Sequence, residues 1–144
     1  MPTHDIPTII RRVVEDLWNT GDLDLADRCF AAEYVNHGGL IPNLIHGPES
    51  VKLTVVAARL AFPGLSVVID DLILEGPLAE VRWTATQSPT GGTRGTTGRT
   101  TGRQLTGVTL ACFAAGQITE SWTRFEAERD AATVAPSPSD RFAA

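Results

Sequence analysis

Apolar residues recur at helical spacing from the start of the chain. Ile6, Ile9, Ile10, Val13, Val14, Leu17 and Trp18 make one stripe, with Arg11, Arg12, Glu15 and Asp16 opposite. Asp5 caps this helix, Pro7 fits its first turn and Gly21 closes it. A short second helix follows near Leu23 to Phe30. Glu33 to Gly39 then reads as an extended stretch breaking into a loop. Gly47-Pro48-Glu49 opens a third helix reaching about Ala61. Val51, Val55, Ala58 and Phe62 share one side of it, Val56 and Leu60 widen that face, and Phe62-Pro63-Gly64 ends it.

Beyond Gly64 the period changes. Ser66 to Leu74 is aliphatic and β-branched, Gly76-Pro77 turns, and Glu80 to Ser88 is the next strand. Gln104 to Phe113 and Gln117 to about Glu126 are two more, joined at Ala114-Ala115-Gly116. Helices first and strands afterwards predict an α+β fold. The expected architecture is a cone-shaped, curved antiparallel sheet covered by the N-terminal helices. Its open end is a natural pocket for a small apolar molecule. One domain over residues 1–130 accounts for the pattern, and the Pro- and Ser-rich segment 131–144 reads as a disordered tail.

Composition narrows the function classes. The chain has 144 residues, 42% of them hydrophobic and 20% charged, with a net charge of −5. That balance lacks the basic footprint of a nucleic-acid binder, Arg94, Arg99 and Arg103 being the one local basic cluster. No apolar run approaches a membrane span and no secretion signal opens the chain, so a cytoplasmic protein is expected. Cys29 and Cys112 lack CxxC companions and read as buried, inert thiols rather than a disulfide or zinc site. Between the second and third strands, residues 89–103 are rich in Gly, Thr and Arg. They form either a long hairpin loop or a lid that brings an arginine such as Arg103 to the substrate.

Candidate chemistry is sparse. His37 is a residue type suited to acid–base work near neutral pH and follows Asn36, which can orient a carbonyl. His46 precedes the third helix and His4 is terminal. Asp70 and Asp71 sit mid-strand, so strict alternation sends one of them into the cone, where desolvation would make it a base. The structural alternative is a salt bridge to Arg82 or Arg124. Glu126 ends the last strand with the same choice. Trp18, Tyr34, Trp83, Phe113 and Phe125 are rings that pack the core or stack on a flat guest.

The chain carries, in this order, Trp18-Asn19-Thr20-Gly21-Asp22, Tyr34-Val35-Asn36-His37, Gly47-Pro48-Glu49, Val81-Arg82-Trp83-Thr84-Ala85-Thr86, Thr101-Gly102-Arg103, and Gly116-Gln117-Ile118-Thr119-Glu120-Ser121-Trp122. Together these short motifs resemble those of the SnoaL-like polyketide cyclases. The resemblance covers the chain to about Glu126. It implies the cone-shaped fold shared with nuclear transport factor 2 and scytalone dehydratase, and a homodimer or homotetramer. It also implies ring closure of a polyketide by an intramolecular aldol step without metal or coenzyme. In that family the chemistry rests on an Asp–His pair on the last two strands. The matching positions here are Thr123 and Thr109. A threonine hydroxyl does not deprotonate carbon near neutral pH. If the family's inward positions hold, Ser121, Thr123, Phe125, Thr109 and Ala111 line the cone. Glu120, Trp122, Arg124 and Glu126 then face outward, where dimers of this fold meet.

These readings converge on a cofactor-independent tailoring enzyme acting on a small, hydrophobic, oxygenated, polyketide-like substrate. Thr109, Thr123, Thr84 and Asn36 would hold carbonyl or enolate oxygens. His37 or Asp70 would move the proton. Two alternatives stand beside it: a component of an anthracycline-type polyketide hydroxylase, and a non-catalytic ligand-binding or dimerisation module.

Overall fold

The computed structural model describes residues 5–37, 46–87 and 103–129. His4, residues 88–102 of the Gly/Thr/Arg-rich stretch, and the 131–144 segment lie outside them. The chain opens with α1 (Ile6–Arg12), which continues without a break into a π-helical turn, Val13–Trp18. Asp5 caps it by accepting hydrogen bonds from the Thr8 amide (3.3 Å) and hydroxyl (2.6 Å). Then come α2 (Asp24–Cys29), β1 (Phe30–His37) and α3 (Pro48–Ala61). The strands β2 (Leu65–Glu75), β3 (Leu78–Gln87), β4 (Arg103–Ala114) and β5 (Gln117–Arg129) complete the order. No helix among the described residues is long and apolar enough to cross a membrane.

The sheet order is β1-β5-β4-β3-β2. Strands β2 to β5 pair antiparallel, as the sequence predicts. The fifth strand departs from that expectation: β1 adds to the β5 edge in parallel, with Asn36 opposite Ser121 and His37 opposite Trp122. These partners are far apart in the chain, so no local pattern announces the pairing. Register shifts in the β1/β5, β2/β3 and β4/β5 ladders bend the sheet.

The helices pack on the concave face. Leu17 of the π-helical turn and Val55 of α3 are fully buried, and Ile9, Ile10, Phe30, Val51, Val81, Phe113 and Ile118 share their core. Cys29 is buried there too, and burial pushes its thiol pKa up against the opposing pull of Arg12 and Arg28. Cys112 is half-buried. On α3 the apolar face is narrower than expected. Val51, Val55 and Ala58 are buried, while Val56 and Leu60 point outward, Leu60 being 76% exposed.

The end of the first helix is pinned from two sides. The Asn19 side chain donates to the Val67 carbonyl (2.9 Å) and accepts from the Val67 amide (2.7 Å). The Arg59 guanidinium donates to the carbonyls of Trp18 (2.9 Å) and Asn19 (2.7 Å), satisfying helix-end acceptors. Gly21 closes the helix at φ +80°, and a Cβ there would come within 3.2 Å of the Arg59 side chain. The motif Trp18-Asn19-Thr20-Gly21 is therefore a latch that fixes the Trp18 ring over the sheet.

Replacing Leu17 with alanine removes a side chain that is fully buried. Denaturant unfolding should register a loss of about 2–5 kcal/mol.

Candidate functional site

Between the helices and the concave face lies a cavity of about 230 Å³. Ile10, Val13, Val14 and Trp18 from the first helix and Val51, Thr54 and Ala58 from α3 form its roof. Its floor is the inward face of the sheet, including Val67, Trp83, Thr109, Ala111, Ser121, Thr123 and Phe125. The wall is mostly hydrocarbon, so each polar atom in it needs a partner.

Those polar atoms pair across strands. The Tyr34 hydroxyl lies 2.6 Å from Ser121 Oγ, joining β1 to β5. The Trp83 indole N–H donates to Thr109 Oγ1 (3.0 Å), which lies 2.9 Å from Thr123 Oγ1. This chain spans β3, β4 and β5. Ser50 and Thr54 turn their hydroxyls back to carbonyls of Gly47 and Ser50. Asn36 also lines the cavity; its buried Oδ1 accepts no hydrogen bond among the described residues. That orphan acceptor costs desolvation until a donor meets it.

Gly107 allows the Trp83 arrangement. The two residues are direct cross-strand partners. A Cβ on Gly107 would sit 2.5 Å from the Trp83 ring and 2.9 Å from the Arg124 carbonyl. The indole therefore lies flat across β4, with its N–H over Thr109 and its ring in a T-shaped contact with Phe125, the centroids 5.9 Å apart. A glycine in the middle of a strand is a sequence signal for such a close approach. Gly107 carries that signal, yet it is absent from the sequence-derived candidates, as are Ser50 and Thr54.

Of the candidates read from sequence, the cavity gathers Thr109, Thr123, Trp18, Tyr34, Asn36, Trp83 and Phe125. It does not gather His37, Asp70, Thr84, Arg103 or Phe113. His37 follows Asn36 on β1 and therefore faces the convex side. There it stacks on Trp122 (centroids 4.9 Å apart, rings 13° from parallel) and lies 3.3 Å from Glu120 Oε1. Asp70 is an extra residue in the β2/β3 ladder, since Ile69 pairs with Trp83 and Asp71 with Arg82. This bulge resets the alternation, so Ile69 and Leu72 pack on the core and both aspartates are exposed. The expectation that one aspartate enters the cone fails for that reason. Asp70 accepts from the Thr84 hydroxyl at 2.5 Å, which places Thr84 on the convex face as well. Arg82 pairs with Glu80 and Glu126 instead of an aspartate. Phe113 is a core side chain, Arg103 is exposed at the start of β4, and His46 is exposed.

Tyr34 is the one titratable side chain among the described lining residues. Burial pushes its pKa up, partly opposed by the Ser121 hydrogen bond, so it is a proton donor at neutral pH. No group of three or more His, Cys, Asp or Glu side chains gathers at metal-binding geometry among the described residues. The site offers neutral hydroxyl, indole and amide groups in a dry apolar cup. It can desolvate and orient an oxygenated guest.

Comparison with known proteins agrees with this architecture. A family model described as SnoaL-like polyketide cyclase matches residues 8–127. IdmH of Streptomyces antibioticus, a proposed polyketide cyclase, superimposes with a TM-score of 0.68 at 22% identity, over 83% of this chain and 91% of its own. TsrD of Streptomyces laurentii gives 0.68 at 20% identity, over 88% of this chain and 91% of its own. AclR of Streptomyces galilaeus, a proposed hydroxylase, gives 0.63 at 20% identity, over 83% of this chain and 87% of its own. No curated protein matches. At these identities the structural likeness establishes the fold, the helix-covered cone of nuclear transport factor 2-like proteins.

Two outcomes follow from the site geometry. Gly107→Ala forces the Trp83 ring off β4, so tryptophan emission should shift and stability should fall by about 1–3 kcal/mol. Tyr34 is the sole tyrosine in the chain, so ultraviolet titration reads it alone. Its ionisation should occur above the ordinary tyrosine range in the folded protein and within that range in denaturant. The raised folded pKa contributes stability that is complete below the unfolded value and is lost as pH rises through the folded one. Tyr34→Phe should remove that alkaline decline.

Proposed function

The chain belongs to the SnoaL-like polyketide cyclase family, and from that premise we propose that it is a cofactor-independent polyketide-tailoring enzyme whose threonine pair replaces the family's Asp–His chemistry. The family and the fold support a role in polyketide tailoring in general. The observation that carries the finer reading is the apolar cavity in which Trp83, Thr109 and Thr123 form a neutral hydrogen-bonded chain across strands.

The proposed reaction is closure of a folded β-polyketone by its own enol. The enol carbon attacks a carbonyl carbon and the new carbon–carbon bond forms as the carbonyl π bond breaks. The enol oxygen loses a proton and the former carbonyl oxygen gains one. A hydroxyl does both together, accepting from the enol and donating to the nascent alkoxide. This relay is assigned to Thr109 and Thr123, whose hydroxyl oxygens lie 2.9 Å apart. This route does not ask threonine to deprotonate carbon. The roof and floor hold the chain in its folded conformer, which removes much of the entropic barrier. Tyr34 and Asn36 orient further oxygens.

The convex face carries the proposed self-association into a homodimer or homotetramer. Trp122, Val68 and Ile73 are 40%, 56% and 49% exposed there. The lack of a carboxylate or imidazole in the described lining favours one rival, a module that binds without turnover.

Incubation with β-polyketone and aromatic polyketide intermediates, followed by mass spectrometry, separates the readings. Aldol closure leaves the mass unchanged, or lighter by one water if dehydration follows. Hydroxylation adds one oxygen. A binding module returns the substrate intact. For the proposed enzyme, Thr109→Val/Thr123→Val should lower kcat about a hundredfold. His37→Ala should leave kcat within about twofold, because its ring stacks on Trp122 outside the cavity.

A further inference from the structure

The cavity holds two separate hydroxyl groupings, and each has more hydrogens than its internal contacts use. Tyr34 and Ser121 bring two O–H hydrogens to one contact of 2.6 Å. Trp83, Thr109 and Thr123 bring three hydrogens to two contacts, of 3.0 and 2.9 Å. The indole N–H only donates, so Thr109 accepts from it whichever way the threonine pair is oriented. Neither grouping has a further partner among the described residues. Each therefore keeps one O–H to offer.

The spacing of the two is set by the strand. Ser121 and Thr123 lie two residues apart on one face of β5, which separates them by about 6.4–6.8 Å. Their cross-strand partners are Ala111 and Thr109, so a methyl group floors the gap beside Ser121. The flat Trp83 indole borders the site. The lining among the described residues holds no Lys, Arg, His, Asp or Glu. A carboxylate guest would be buried without a counter-ion, and so would an ammonium. A hydrocarbon would leave both surplus O–H groups unpaired.

We propose that the cavity is a two-point receptor for a flat, neutral guest with carbonyl-type oxygens on opposite edges, one held by Thr109 and Thr123, the other by Tyr34 and Ser121. This rests on the cavity being the substrate site. Its volume of about 230 Å³ is below the roughly 300–1,000 Å³ of drug-sized sites. The guest is thus a fused bicycle, or the bicyclic end of a larger molecule that reaches out of the mouth.

The test compares 2,3-dimethyl-1,4-naphthoquinone with 2,3-dimethylnaphthalene, two probes of like shape that differ in the two oxygens. The methyl groups block thiol addition to the quinone. Affinities are read by tryptophan quenching and saturation-transfer NMR on the whole chain. Any member of a grouping still offers a hydrogen when another is lost, so every donor is replaced: Trp83→Phe/Thr109→Val/Thr123→Val, and Tyr34→Phe/Ser121→Ala. Each variant should cut quinone affinity about fivefold relative to the hydrocarbon, and all five substitutions together about twenty-fivefold. Retained hydrocarbon binding certifies an intact cavity in each variant. An unchanged ratio in either variant overturns two-point recognition and leaves the tailoring role standing. Failure of both probes to bind the unaltered protein overturns the receptor and the substrate site together.

Discussion

Desolvation inside an apolar cup is the constraint on which the site depends. A hydroxyl buried among aliphatic and aromatic side chains must find a partner or weaken the fold. Here the partners are side chains on neighbouring strands: Tyr34 with Ser121, and Trp83 with Thr109 and Thr123. These bonds tie β1, β3, β4 and β5 together from the inside. They also hold each hydroxyl oxygen in a defined position, so the cavity lining and fold stability draw on the same contacts.

The first strand shows how one element serves both faces. On the concave side Tyr34 bonds Ser121, and on the convex side His37 stacks on Trp122 beside Glu120. The sequence motifs around Tyr34 and Trp122 thus meet as a two-sided clamp on a parallel edge pairing. The helical latch at Asn19 and Arg59 does the equivalent work across the cavity, holding the Trp18 ring in its wall. Several motifs that carry the family resemblance therefore serve to hold the cup in shape.

The absence of carboxylate and imidazole from the described lining limits the chemistry available. An Asp–His pair moves a proton through its own ionisation, whereas hydroxyls transfer protons only in exchange. With Tyr34 kept protonated by burial, the described lining stays uncharged across the physiological range. Positioning and directed hydrogen bonding are what such a surface supplies. Substrates that enolise by themselves suit it, because the hardest proton transfer is then intrinsic to the guest.

Local pattern was enough for the elements and for the faces of the last strand. Helical spacing marked the buried stripe of the first helix, and alternation put Ser121, Thr123 and Phe125 on one face, which the family resemblance aimed into the cavity, where they lie. Periodicity works there because each residue's direction follows from its neighbours' dihedrals. It failed at Asp70 and Asp71, where one extra residue in β2 reversed the phase and turned both carboxylates to solvent. His37, singled out for its imidazole and its neighbour Asn36 and not by periodicity, turns to the other face, where it meets Trp122 across the parallel pairing of β1 with β5. The close approach of Trp83 to Gly107 and the sharing of hydrogens among Trp83, Thr109 and Thr123 likewise arise between strands. Chain order decided which residues share a face within an unbroken strand; only the registration of one strand against the next decided where that alternation resets and which hydroxyls meet, because that geometry is a property of two backbones and not of one.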